Sequence, residues 1–445
     1  MKTTKIYLSE ELNIAKMFSD FKVQFPNIKC CYESYRSIFL NSYNISFGYP
    51  RKDTCSTCDK FEVDMAAAKL NVDVSAEQIR KMEDQKKLHL AKADTFYKRK
   101  KAARLESKAD PTISAVCFDF QKNLPMPNIS SQDVYYSRQL SFYSFNIHVL
   151  DNDKVYIYSY DETVGNKGAD DVCSMLKHFI ENFLPETTTH LKLFCDGCAG
   201  QNKNYTVLRF FYHLVHDAKR LTKVQITFPV RGHSYMECDR DMANVNQKTP
   251  CQIPSDWQTV LREARGKGGP FEVINFTRES FFGFTDYFRP RFLAQCPLPT
   301  RPVREIFVDV AKPGLLTHRA NWNGPKLDTP IKPKKFFPYE SIFGLGAGRG
   351  RGSAARGRGS VARGRGSARG RGTGREAPAP PAEQLPELKA IYRQPLPIST
   401  AKYNDLIKLT GFINHENRRF FENLPHDGDV NDEHEFEEIV ESDDE

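Results

Sequence analysis

A chain of 445 residues with 40% hydrophobic and 12% aromatic content is long enough for two or three domains and a sizeable core. No run of about 18 uncharged apolar residues occurs and no long apolar stretch follows the first residues, so a helical membrane span and a secretory leader are both excluded from the expectation. The net charge of +8 hides a segregation: Asp427 to Glu445 holds eleven acids and no Lys or Arg, Arg349 to Arg375 holds nine arginines and no acid, and the remaining body is still basic, as in proteins that bind nucleic acid.

In chain order, residues 1–60 read as an N-terminal helical lobe, with Tyr35, Ile38 and Phe39 on one face of a small helix. Such a lobe suits either a helix-turn-helix-like DNA reader or a purely structural element. It ends in Cys55-Ser-Thr-Cys58, the spacing of half a tetrahedral zinc site. The eleven cysteines, odd in number and scattered, fit reduced thiols and a metal site better than a disulfide framework, and therefore the cytosol or the nucleus. The remaining Zn2+ ligands are expected from Cys30 or Cys31 and from His89. His89 lies in a charged helix within residues 61–110, opened by Ser75 with Gln78 three residues later. Lys98 to Lys101 with Arg104 forms a basic cluster at its end, able to contact phosphates or simply to be solvated.

Residues 111–250 change to strands: Ile113–Phe120, Gln139–Leu150 after a loop, and Lys154–Tyr160 after the turn Asp151-Asn-Asp153. A helical stripe from Ala169 to Leu184 follows, then a strand into Asp196, a helix to about His216, a strand Lys223–Val230 and a further helix start. The order βββαβαβα predicts an α/β fold with a ribonuclease-H-like mixed five-stranded sheet, the zinc-binding helical lobe before it. In that topology the strands carrying Asp119 and Asp196 are neighbours, and a third acid, Asp239 or Asp241, comes over them. Three converging carboxylates repel unless cations sit among them, so a two-metal Mg2+ or Mn2+ site for phosphodiester cleavage or strand transfer is expected. Glu162 and Glu237 are further acidic candidates, and His233 reads as a turn histidine.

The stretches Asp53–Asp59, Phe118–Pro125, Asp161–Thr163, Asp196-Gly-Cys-Ala-Gly-Gln-Asn-Lys-Asn204 and Gly232–Asp241 together resemble a family of transposon-derived animal proteins, abundant in insects. The resemblance spans roughly residues 30–290. That family carries a domain of unknown function similar to DDE-type transposases, which implies a nuclear, DNA-linked setting. Proline is frequent there at the position of Glu237, which implies Asp239 as the third acid.

Residues 251–343 read as a small β-rich extension ending in a basic, proline-rich run. Residues 344–387 form a disordered Arg-Gly and proline-rich linker whose Arg349, Arg351, Arg356, Arg358, Arg363 and Arg365 offer charge and stacking to RNA or DNA. Residues 388–425 are apolar enough for a docked helical segment, and residues 426–445 form an acidic disordered tail. Two functions follow: a metal-dependent nuclease or transposase, and a domesticated, inactive DNA- or RNA-binding protein. The sequence contains nothing that fixes the oligomeric state.

Overall fold

The computed structural model describes residues 6–8, 12–47, 55–71, 73–245, 249–266, 269–332 and 387–427. The Arg-Gly tract with its six candidate arginines, and all of the acidic tail beyond Asp427, lie outside the described residues. The chain divides into two compact units: one of residues 1–91 with Arg231–His233, and one of Lys92–Val230 with 234–445.

In the first unit, strand β1 (Ile6–Leu8) pairs in parallel with β2 (Ile45–Phe47), either side of helices α1 (Ile14–Gln24) and α2 (Tyr32–Ser42). Asn13 caps α1 by accepting from the Lys16 N–H. The two helices meet through Phe18, Phe21, Tyr32 and Tyr35. Helix α3 (Ser56–Leu70) follows, then α4 (Ala76–Ala109), whose stretch to Ala91 counts with this unit. The Ser75 and Gln78 side chains close the start of α4 as expected. Among the described residues only Phe39, Cys55 and Ala68 are buried hydrophobics of this unit. So thin a core does not hold a unit of this size by apolar burial alone.

The second unit is built on a ten-stranded sheet. Its strands are β3 (Ile113–Phe120), β4 (Leu124–Met126), β5 (Leu140–Val149), β6 (Val155–Asp161), β7 (His190–Phe194), β8 (Lys223–Thr227), β9 (Glu272–Asn275), β10 (Glu305–Asp309), β11 (Leu315–Arg319) and β12 (Leu327–Pro330). The order is β12-β11-β10-β8-β7-β3-β5-β6-β9, with β4 on β5. The five strands read from the sequence are its centre, β8-β7-β3-β5-β6, with β3, β5 and β6 antiparallel and β3, β7 and β8 parallel. The sheet is thus larger than five strands. Within residues 251–332, β9 lengthens the sheet beside β6, and β10 to β12 lengthen it beside β8.

Helices α5 (Ala169–Asn182) and α6 (Tyr205–His216) carry the apolar stripe Val172, Met175, Leu176, Phe179, Ile180 with Val207, Leu208, Phe211 and Leu214 into the main core, against Phe118, Phe145 and Tyr158. Helix α7 (Glu237–Ala243) lies with the alternate residues of β3 and β7: Met236 and Cys238 cluster with Ala115, Cys117 and Phe194. Helix α8 (Pro254–Glu263), α9 (Phe284–Phe288), α10 (Thr400–Leu409) and α11 (His415–Glu422) complete the unit, and Leu406, Ile413 and Phe421 pack with Trp257 and Met126. No described helix is long and apolar enough to cross a membrane.

Candidate functional site

Two constellations stand out, one in each unit. In the first, Cys55 precedes α3, Cys58 lies in its first turn, His89 lies on α4 and His233 follows Gly232. Their ligating atoms all lie within 4.8 Å of one another. Cys55 Sγ is 3.3 Å from His89 Nε2, Cys58 Sγ is 3.4 Å from His233 Nε2, and the two Nε2 atoms are 3.0 Å apart. Around a tetrahedral zinc the bond lengths to sulfur and nitrogen give edges of about 3.5 Å for S···N and about 3.3 Å for N···N. The donor set and its spacing therefore fit, and this cluster can hold a metal such as zinc. Burial and the adjoining Cys55 thiol push Cys58 up to about 11, so a metal would have to displace its proton, while burial holds His233 below its ordinary value, which favours the neutral ring that ligates.

Cys55, Cys58 and His89 are ligands that the spacing suggested; the fourth is His233. Cys30 is not among them, since its Sγ is turned to the Cys31 carbonyl at 3.4 Å, and Cys31 faces Ser34. The signal for His233 was Gly232. It has φ +77°, and a Cβ on it would stand 2.7 Å from the Cα and Cβ of Cys55, so glycine alone lets this loop approach the thiol.

The second constellation lies at one end of the large sheet. Asp119 is on β3, and Asp196 is two residues past β7. The parallel register ends at Cys117↔Phe194, two positions short of each acid, so both lie at the same end of the sheet. Asp239 sits in the first turn of α7, its carboxylate accepting from the Met236 N–H at 2.6 Å. Asp196 Oδ1 accepts from the Cys198 N–H at 3.1 Å and from Asn202 Nδ2 at 2.6 Å. Burial, then the charge of Asp196, then that of Asp239, push Asp119 up to about 8. Burial likewise raises Asp239 and lowers Lys167, whose ammonium donates to Asn123 at 2.9 Å. Asp119 thus feels the charges of both other acids, though among the described residues only the Cys–His cluster brings three or more ligating atoms within 4.8 Å.

Gly197 and Gly200 leave open space beside Asp196 rather than supplying a special backbone conformation: neither has positive φ, and nothing lies within 4 Å of a Cβ at either. The remaining acidic candidates are engaged in structural pairs. Glu237 pairs with Lys100 at 2.7 Å. Asp241 is buried against His148 Nδ1 at 2.6 Å, a bond that ties α7 to β5. Glu162 accepts from the Ser141 N–H and from Lys402. Part of the basic cluster on α4 is similarly engaged: Arg99 pairs with Glu305, Lys100 with Glu237 and Arg104 with Asp153, while Lys98 makes only an exposed pair with Asp94.

Residues 149–254 match the model of a family described as a domain of unknown function (DUF7869). The matched span contains Glu162, Asp196, His233, Glu237, Asp239 and Asp241, and leaves Asp119, Cys55, Cys58 and His89 outside it. The comparison with curated proteins finds no match.

Proposed function

We propose that the second unit carries a ribonuclease-H-like, DDD-type core that cleaves or joins DNA, in a transposon-derived nuclear protein. The observation that carries this reading is the juxtaposition of Asp119 on β3 and Asp196 just past the adjacent parallel β7, with Asp239 on the helix after β8 and Asp119 pushed up to about 8 by burial and their shared charge. The strand order β8-β7-β3-β5-β6 supports it, being the order expected of such a core. Bound Mg2+ or Mn2+ would activate a water or 3′-hydroxyl and stabilise the leaving oxygen. The chain's part is to hold the acids: β3 and β7 fix two of them, and the Asp241–His148 pair holds the helix bearing the third. Zinc at Cys55, Cys58, His89 and His233 would staple the thin-cored first unit, and the arginines from Arg349 to Arg365 would grip DNA or RNA backbone.

A domesticated, inactive DNA- or RNA-binding protein is the second reading, and one observation favours it: the three carboxylates do not close to within 4.8 Å of one another. Incubation of the zinc-loaded chain with plasmid DNA and Mn2+ separates the two. Nicking or joining by the wild type that Asp196→Asn abolishes, with DNA affinity retained, supports the enzyme; binding without turnover across many substrates supports the second reading.

A further inference from the structure

The acidic end of the sheet carries two buried carboxamides that lack partners, wholly or in part, among the described residues. Asn146 is 0% exposed and neither its Oδ1 nor its Nδ2 has a hydrogen-bond partner among the described residues. It is the registered neighbour of Asp119 across the β3–β5 pair, so both side chains stand on one face of the sheet. That face is covered by α7, because His148, two residues along β5, bonds Asp241 there, and Gln121 Nε2 donates to the Met242 carbonyl. Asn202, 1% exposed, is half satisfied: its Nδ2 donates to Asp196 at 2.6 Å while its Oδ1 has no partner among the described residues.

Leaving a buried carboxamide unpaired is destabilising, and a leucine of similar volume would avoid that cost. One wholly unpaired group beside Asp119 and one half-paired group bonded to Asp196 stand at the same end of the sheet as the acids. They are well suited to a hard divalent cation, which takes Asn carbonyl oxygens together with carboxylates and water. Neutral oxygens complete such a shell without adding to the repulsion among Asp119, Asp196 and Asp239, and they supply ligands where the carboxylates alone stand too far apart.

We propose that the carboxamide oxygens of Asn146 and Asn202 are ligands, directly or through one water, of a Mg2+ or Mn2+ ion held by Asp119 and Asp196. This deepens the carboxylate reading and rests on it.

The test is Mn2+ binding to the full, zinc-loaded chain, followed by the loss of the free-ion electron paramagnetic resonance signal. Asn146→Leu should weaken Mn2+ at least tenfold while the cation-free protein melts at the same temperature or higher, since an unpaired polar group has been removed. Asn202→Leu should weaken Mn2+ as well. Wild-type affinity in Asn146→Leu, together with lost binding in Asp196→Asn, overturns the proposal and leaves the carboxylate site standing. Wild-type affinity in Asp196→Asn overturns the carboxylate reading and this proposal with it. Should Asn146→Leu fail to fold, wild-type crystals soaked in Mn2+ decide through anomalous scattering. An ion whose ligands or ligated waters reach Asn146 supports the proposal, and one served by the aspartates alone overturns it.

Discussion

Asp119→Asn should change how the stability of the cation-free protein depends on pH. In the folded protein Asp119 is raised from 3.8 to about 8, so the folded state holds its proton more tightly than the unfolded chain does. The stability contributed by that proton is complete below about pH 4 and is lost as pH rises through about 8. Asparagine carries no such proton, and the other titrating groups are common to both proteins. The stability of the variant relative to wild type should therefore climb with pH at up to about 1.4 kcal/mol per unit, on the order of 3 kcal/mol between pH 5 and pH 8. Urea unfolding at four pH values in metal-depleted buffer with stoichiometric zinc, and no chelator that would strip it, measures the difference. Millimolar Mn2+ should then stabilise the wild type most at high pH and leave the variant unmoved. A difference that stays flat from pH 5 to pH 8 would refute the idea that Asp119 is a buried acid held protonated by its surroundings.

Three further outcomes follow, two from the structure and one from the sequence. Purified protein should carry stoichiometric zinc that is lost in Cys58→Ser and in His233→Ala but kept in Cys30→Ser, as read by metal analysis; zinc retained in His233→Ala would remove that residue from the ligand set. Gly232→Ala should lose zinc as fully as a ligand change, because its new methyl meets the Cys55 backbone at 2.7 Å, and unchanged zinc content would show that the loop can yield. Deleting residues 346–375 should flatten the log-log salt dependence of nucleic-acid binding by about 0.7 to 0.9 for each phosphate that the tract neutralises, whereas an identical slope would mark the tract as a spacer.

The centre of the fold was legible because its elements announce themselves locally. Ile113–Phe120 is rich in β-branched and aromatic residues, and the stripe from Val172 to Ile180 keeps one helical period. The edges were not legible in the same way. Residues such as Glu272–Asn275 read as a strand, but nothing local says that the strand pairs with β6, more than a hundred residues earlier in the chain. Helix α3, directly after Cys55, went unread because its hydrophobic residues trace no stripe. The zinc set was three-quarters visible: Cys55, Cys58 and His89 have spacing or helix context, whereas His233 is a loop residue 144 positions from His89, joined to it only by tertiary structure. Asn146 was hidden for another reason. A single polar residue in a long apolar strand looks like ordinary alternation until its burial and its neighbour Asp119 are known.

The most direct test of the account is whether supercoiled DNA is nicked or joined by the zinc-loaded protein in Mn2+, with Asp119→Asn, Asp196→Asn, Asp239→Asn and Glu237→Gln alongside. The account predicts turnover in the wild type, its loss in all three aspartate variants at nearly unchanged DNA affinity, and a milder effect in Glu237→Gln, whose carboxylate is already paired with Lys100. Turnover that survives in Asp196→Asn, or a Glu237→Gln variant as damaged as Asp196→Asn while Asp239→Asn is silent, would contradict it.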